Sequence, residues 1–213
     1  MGHAASIERY SPFMFRSASL IEADLETYAD LLRRWQAVQN LVSRETLDSL
    51  WDRHFADSLQ ILPLLRPTDR SFLDLGSGGG FPALPLAIAC KGDGRRFHLV
   101  EPTARKVSFL RTVARELDLS VTVHGVRIEQ LDSRETPDVV TSRALASLPQ
   151  LCNWMAPHFS ASTRALLHKG KEHGEEVREA RAQWDFDVLE HRSDTDPAGV
   201  VLEISTLRER PRA

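Results

Sequence analysis

Cysteine is scarce in this chain: Cys90 and Cys152 are the only two, and each sits in an apolar segment. A disulfide scaffold is thereby excluded, and both read as reduced core thiols. Charge of one sign is also missing, since 27 Lys and Arg stand against 30 Asp and Glu, a net charge of −3. That balance excludes a protein coated for bulk nucleic-acid binding; a nucleic-acid partner has to be held by a local basic patch. No apolar run is long enough to cross a membrane, and no charged-then-apolar leader opens the chain. A cytoplasmic protein without membrane contact is therefore expected. No Cys/His cluster has metal-ligand spacing, so no metal is expected. Repeats and low-complexity stretches are lacking as well. Met1-Gly2 with Ser6 fits a myristoylation pattern, but so short a pattern arises readily by chance and carries no weight.

What is present is 213 residues, 42% of them hydrophobic, enough for one α/β domain with an extension. Residues 1–67 read as a helical N-terminal extension or cap, and 68–213 as the main domain. Leu20, Leu25, Tyr28, Leu31, Leu32, Trp35 and Val38 fall at helical spacing. A second helix is expected over residues 46–65, with Leu47, Leu50, Trp51, Phe55, Leu59 and Leu62 on one face. Residues 1–17 read as loosely structured or weakly helical. Pro63 and Pro67 mark the passage into the main domain.

Strands and helices then alternate. Strands are expected near 71–75, 96–101, 120–124, 138–142, 164–168, 186–191 and 200–206, and helices near 81–90, 103–117, 147–157 and 172–183. Such alternation predicts a mostly parallel sheet covered on both faces. The turn signal Ser193-Asp-Thr-Asp-Pro-Ala-Gly199 predicts a closing hairpin and an antiparallel last strand.

The richest stretch is Arg70-Ser-Phe-Leu-Asp-Leu-Gly-Ser-Gly-Gly-Gly-Phe-Pro82. A hydrophobic strand runs into a glycine turn, a helix opens at Phe81-Pro82, and Glu101 ends the next apolar run. Strand, glycine turn, helix, strand and acid form the nucleotide-ribose site of a doubly wound sheet. The glycines let backbone approach a ligand, and the acid accepts from ribose hydroxyls. A dinucleotide fingerprint fails here, because Phe81 stands where its last glycine belongs. Asp74-Leu-Gly-Ser-Gly-Gly-Gly80 instead resembles motif I of the class I S-adenosylmethionine-dependent methyltransferases. An NAD-linked oxidoreductase and a glycine-rich loop without a ligand are the alternatives.

Further segments make the resemblance specific. Gln39-Asn-Leu-Val42 with Arg53-His54-Phe-Ala-Asp57-Ser58, then Leu73 to Pro85, then Val139-Val-Thr-Ser-Arg-Ala-Leu-Ala146 with Lys169-Gly170, occur in that order. This array resembles the bacterial 16S rRNA guanine-N7 methyltransferases of the glucose-inhibited division protein B family, from about residue 20 to residue 206. Ala83 replaces the family's second glycine in a Pro-Gly step, and Thr46-Leu-Asp48 replaces a longer loop. The resemblance implies a class I methyltransferase sheet, S-adenosyl-L-methionine as cofactor, and a monomer acting on 16S rRNA or the small ribosomal subunit. The acceptor it implies is N7 of one guanosine in the decoding-site loop.

Site residues follow from the same match. Gly76 and Gly78 bring backbone to the cofactor, Phe81 lines the pocket beyond the loop, and Glu101 holds the ribose. Ile128 and Glu129 flank the adenine. Arg143 contacts cofactor and orients substrate. No catalytic base is assigned, because guanine N7 carries an available lone pair and no proton need leave before attack. Candidate RNA contacts are Arg53, His54, Arg127, Lys169 and Lys171, each of which also reads as an ordinary surface charge. His54 has a further reading as a structural histidine that anchors the cap through Asp57. Arg105 and Lys106 read as solvated helix positions, and Trp35, Trp51, Trp154 and Trp184 as helical core residues. A methyltransferase with a protein or small-molecule acceptor, and a non-catalytic RNA-binding regulator, are the competing functions.

Overall fold

A computed structural model of the chain describes residues 7–37, 41, 49–132 and 136–211. Among the described residues are seven strands: β1 (Ser71–Leu75), β2 (Arg96–Val100), β3 (Val121–His124), β4 (Val139–Arg143), β5 (Arg164–Lys169), β6 (Trp184–Arg192) and β7 (Val200–Glu209). The helices are α1 (Ala18–Gln36), α2 (residues 51–59), α3 (Ala83–Ala89), α4 (Ala104–Glu116), α5 (Leu148–Met155) and α6 (His173–Ala180). The strands form one sheet in the order β3-β2-β1-β4-β5-β7-β6. The first five are parallel, and β7 runs antiparallel between β5 and β6. The expected mostly parallel sheet with an antiparallel last strand is what forms.

Alternation along each strand sorts side chains onto two faces. Phe72, Phe97, Leu99 and Val139 join α1 to α4 in one apolar cluster. Leu73, Leu75, Val100 and Val140 join α5 and the end of α6 in the other. Both faces of a parallel sheet are thus kept from water. Cys90 and Cys152 are free and buried, and burial pushes both thiols up to about 12.

The N-terminal helices depart in detail from expectation. Ile21, Leu25, Tyr28 and Leu32 form the buried stripe of α1, whereas Leu20 is 54% exposed. Val38, Leu47, Thr46-Leu-Asp48, Met1-Gly2, Ser6 and most of Gln39-Asn-Leu-Val42 lie outside the described residues. The second helix does not continue to residue 65. Its π-helical turn Trp51–Ala56 passes into α-helical Asp57–Leu59, and a separate 3₁₀ turn, Leu62–Leu64, follows. Pro63 has no N–H with which to extend the α-helix. Helix α3 starts at Ala83, not Phe81, with Pro82 just ahead of it. Trp184 opens β6 rather than lying in a helix. Residues ahead of α1 are not loose throughout: Ile7 and Tyr10 are buried, and the Tyr10 hydroxyl donates to Asp194 Oδ2 at 3.0 Å.

Away from the glycine turn, the start of β5 carries a buried ionic triad. Arg164, 3% exposed, donates to Glu203 Oε1 at 2.6 Å and to Asp69 Oδ2 at 2.7 Å. One guanidinium thereby ties β5, β7 and the approach to β1 together. Removing one member of such a set leaves buried charge uncompensated. Arg164→Ala is therefore expected to lower unfolding free energy by about 3–5 kcal/mol, read by urea denaturation; a loss under about 1 kcal/mol would refute this role.

Candidate functional site

The loops that follow β1, β2, β3 and β4 meet in one cleft of about 540 Å³. This is the crevice at the carboxyl ends of parallel strands where doubly wound sheets take their ligands. Gly76, Gly78, Phe81, Glu101, Ile128, Glu129 and Arg143 all line it. His54 and Arg127 line it too, so two of the expected RNA contacts share the cleft of the cofactor candidates.

The glycine turn is fixed from several sides. Gly76, Gly78 and Gly80 have φ of +68°, +54° and +97°, which L side chains rarely adopt. Glu101 accepts from the Gly78 amide at 3.0 Å through one oxygen and from the Thr103 amide at 2.9 Å through the other. The Gly80 amide donates to the Ser77 carbonyl at 2.6 Å, and the Ser77 amide to the Val100 carbonyl at 3.0 Å. A Cβ at Gly78 would meet nothing closer than the Gly76 carbonyl at 3.8 Å, so that face of the turn is open. At Gly76 a Cβ would instead strike Leu145 at 2.4 Å. A side chain there would act by displacing Leu145, itself a wall of the cleft, as well as by straining the backbone.

Beneath the turn, Asp74 is buried and takes the Thr141 hydroxyl at 2.7 Å on one oxygen. Its other oxygen has no partner among the described residues. Burial pushes this carboxyl up to about 7. Ile128, buried, and Glu129, exposed, stand on a short 3₁₀ turn after β3. Glu129 accepts from the Trp154 indole at 2.8 Å.

Arg143 ends β4 and forms a wall between this cleft and a second of about 360 Å³ lined by Arg53, Asp57, His168, Lys169 and Thr195. Its guanidinium lies over the Phe81 ring, 4.8 Å from the centroid. It donates to Asp57 Oδ2 at 2.9 Å, to the Arg53 carbonyl at 3.0 Å and to His54 Nδ1 at 2.5 Å. Arginine only donates, so His54 Nδ1 holds a lone pair and the ring is the neutral Nε2–H tautomer. Burial, with Arg143 beside it, pushes His54 down to about 3. His54 thus ties α2 to the end of β4 through Arg143, and Asp57 is reached through that same guanidinium. The next residue, Ala144, has φ +51°, a left-handed turn that leads the chain to Leu145 under Gly76.

The other RNA candidates separate. Arg53, Arg127 and Lys171 are exposed. Lys169 is not available in the same way: it donates to Glu176 at 2.6 Å and to the Ala146 carbonyl at 2.7 Å. Lys171 lines neither cleft. Sequence reasoning missed Lys106, Leu145 and Trp154, all of which line the first cleft. Lys106 falls in the first turn of the helix that follows Glu101, a position that faces the ligand end of such a sheet, and this signal was readable. Trp154 gave none, because its helical spacing is that of a core residue.

Burial alone would raise the Asp57 carboxyl, but His168 and Arg143 beside it, and the Thr195 hydroxyl, outweigh that and hold it below the usual range. At neutral pH Arg143 is the cation, since burial keeps His168 neutral. A depressed folded pKa contributes stability above the unfolded value and loses it as pH falls through the folded one. Asp57→Asn should therefore melt below the parent at pH 7, with a deficit that shrinks below about pH 4. A deficit unchanged down to about pH 3 would show that the carboxylate charge is not what stabilises this junction.

The rRNA small subunit methyltransferase G family model matches residues 21–196. Ribosomal RNA small subunit methyltransferase G of Brucella ovis is 44% identical over 188 residues, covering 87% of this chain and 88% of that protein. Among solved structures, the ribosomal protein L11 methylase of Lactobacillus delbrueckii subsp. bulgaricus aligns with TM-score 0.56 and 16% identity, over 72% of this chain and 78% of that one. The glycopeptide N-methyltransferase MtfA, complexed with S-adenosyl-L-methionine, aligns with TM-score 0.55 and 12% identity, over 71% of this chain and 93% of that one. At these identities the structural matches speak for the class I methyltransferase fold alone. The sequence match reaches further: this chain belongs to the rRNA small subunit methyltransferase G family.

Proposed function

We propose that the protein transfers a methyl group from S-adenosyl-L-methionine to N7 of a guanosine in the decoding-site loop of 16S rRNA. The observation that carries this reading is one cleft that unites the glycine turn, Glu101 and the Ile128–Glu129 turn, with Arg127 on its lining and exposed.

The residues present suit that cofactor. Each oxygen of a carboxylate accepts more than one hydrogen bond, so Glu101 retains capacity for ribose hydroxyls beside its two amide partners. Ile128 offers an apolar surface to the adenine. The open face of Gly78 permits close backbone approach. When bound, S-adenosyl-L-methionine supplies a methyl group on a positively charged sulfonium.

The chain's own part is to bind and orient. Guanine N7 presents a lone pair, so no residue has to remove a proton first, and the neutral, Arg143-capped His54 is not required as a base. Positioning of this kind supplies roughly 7–11 kcal/mol in favourable cases. Arg53, Arg127 and Lys171 are assigned to RNA phosphates, which fix register without reading sequence. Lys169 orders the start of α6 through Glu176, and His54 braces the cap. The segment up to residue 67 acts as a cap on the 68–213 domain, with which it shares one apolar cluster. The protein acts as a monomer, in the cytoplasm where its ribosomal substrate is assembled, and without a metal.

The direct test supplies labelled S-adenosyl-L-methionine with 16S rRNA and 30S particles lacking this modification, then maps N7-methylguanosine by chemical cleavage. One cleavage in the decoding-site loop is expected. Cofactor binding with no labelled RNA would move the function to another acceptor. In the same assay, Arg127→Ala should weaken RNA binding and lower its salt slope by about one, with cofactor affinity little changed. An unaltered slope would remove Arg127 from the RNA surface.

A further inference from the structure

Tyr28 lies far from the glycine turn in sequence, yet it touches that turn directly. It is fully buried in α1, and its hydroxyl donates to the Gly79 carbonyl in a short hydrogen bond. Its ring stacks on Phe81, with centroids 5.5 Å apart and planes inclined by 25°, and meets Phe55 at 5.5 Å. Gly79 and Phe81 both line the cofactor cleft. A phenylalanine would fill the same apolar space. What tyrosine adds is one hydroxyl, and that hydroxyl is spent on the loop.

The bond controls a single peptide plane. The carbonyl of the Gly79–Gly80 peptide is held by Tyr28, and its amide by the Ser77 carbonyl at 2.6 Å. A glycine-rich segment has many backbone conformations open to it, so a peptide clamped at both ends is a shape maintained against considerable entropy. Space at the clamp is tight as well: a Cβ at Gly80 would stand 2.8 Å from the Tyr28 hydroxyl and 2.4 Å from Leu84. Burial pushes the phenol well above its ordinary value, so it remains a donor throughout the physiological range.

We propose that Tyr28 is a positioning residue for cofactor binding: from the N-terminal helix it holds the Gly79–Phe81 wall in the conformation that receives the methyl donor. The proposal rests on the placement of the cofactor at the glycine turn.

Tyr28→Phe removes the bond and keeps the ring, and Glu101→Gln serves as the comparison within the same cleft. Calorimetry with S-adenosyl-L-methionine should show Tyr28→Phe binding weakened about two- to tenfold, the range of one net hydrogen bond. KM for the cofactor should rise in parallel while kcat at saturation is kept. In the ligand-free protein, hydrogen exchange at the Gly80 amide should accelerate by a similar factor, with the melting temperature lowered by only about 2–4 °C. If cofactor affinity is unaltered in Tyr28→Phe but weakened in Glu101→Gln, the positioning role is wrong and the site stands. If neither variant alters affinity, the site itself is misplaced and the proposal falls with it. A lower melting temperature without any change in KM or affinity would make Tyr28 a core residue only, and would equally overturn it.

Discussion

The junction at Asp57 is the contact on which the rest of the site depends. Its carboxylate takes Arg143 from the end of β4 on one oxygen, and Thr195 and Gln60 on the other. Its main-chain carbonyl takes His168 of β5 at 2.8 Å. One residue of a short helix therefore touches the fourth strand, the fifth strand and the loop between the last two. Arg143, held in this way, carries the face of Phe81, and Phe81 carries the ring of Tyr28. The N-terminal helices and the sheet meet through a continuous series of charge, aromatic face and hydroxyl that ends on the glycine turn.

Much of the scaffold was legible because its signals are local. Apolar runs such as Phe97 to Val100 must become strands in a sheet buried on both faces, and glycines after such a run must turn. Glu101 was marked by its place just beyond a strand end, where a doubly wound sheet leaves its ligand crevice, and the Ile128–Glu129 pair by the family resemblance. The helical stripe of α1 was read almost correctly. The slip from Ile21 to Leu20 is one residue, the kind of error a periodicity permits when both neighbours are apolar.

The parts that escaped are long-range. Nothing in the order of residues says that Tyr28 faces Gly79, that Trp154 reaches Glu129, or that Lys169 closes on Glu176. Each is fixed by how a helix is rotated against the sheet, and helical spacing specifies a face without naming its opposite. Arg143 shows the same limit: the family resemblance marked it for the site, but its three partners on α2 emerge only when that helix is docked on the sheet. Asp69 and Asp74, both buried carboxylates, make the point electrostatically. They lie close in sequence, yet one is matched by Arg164 and the other is left with an unpartnered oxygen and a pKa pushed up to about 7.

The position of Thr195 has a consequence for the order in which the protein is made. The glycine turn, Glu101 and Arg143 all precede it on the chain, but the Asp57 junction that steadies Arg143 includes its hydroxyl, and Tyr10 near the start of the chain bonds to the neighbouring Asp194. Contacts of such long sequence separation form late, because the loop they close must first be available. A nascent chain that has emerged only as far as β6 holds the loops that line the cleft without the strap that joins its two ends. Completion of the Asp57 junction thus waits for the final hairpin.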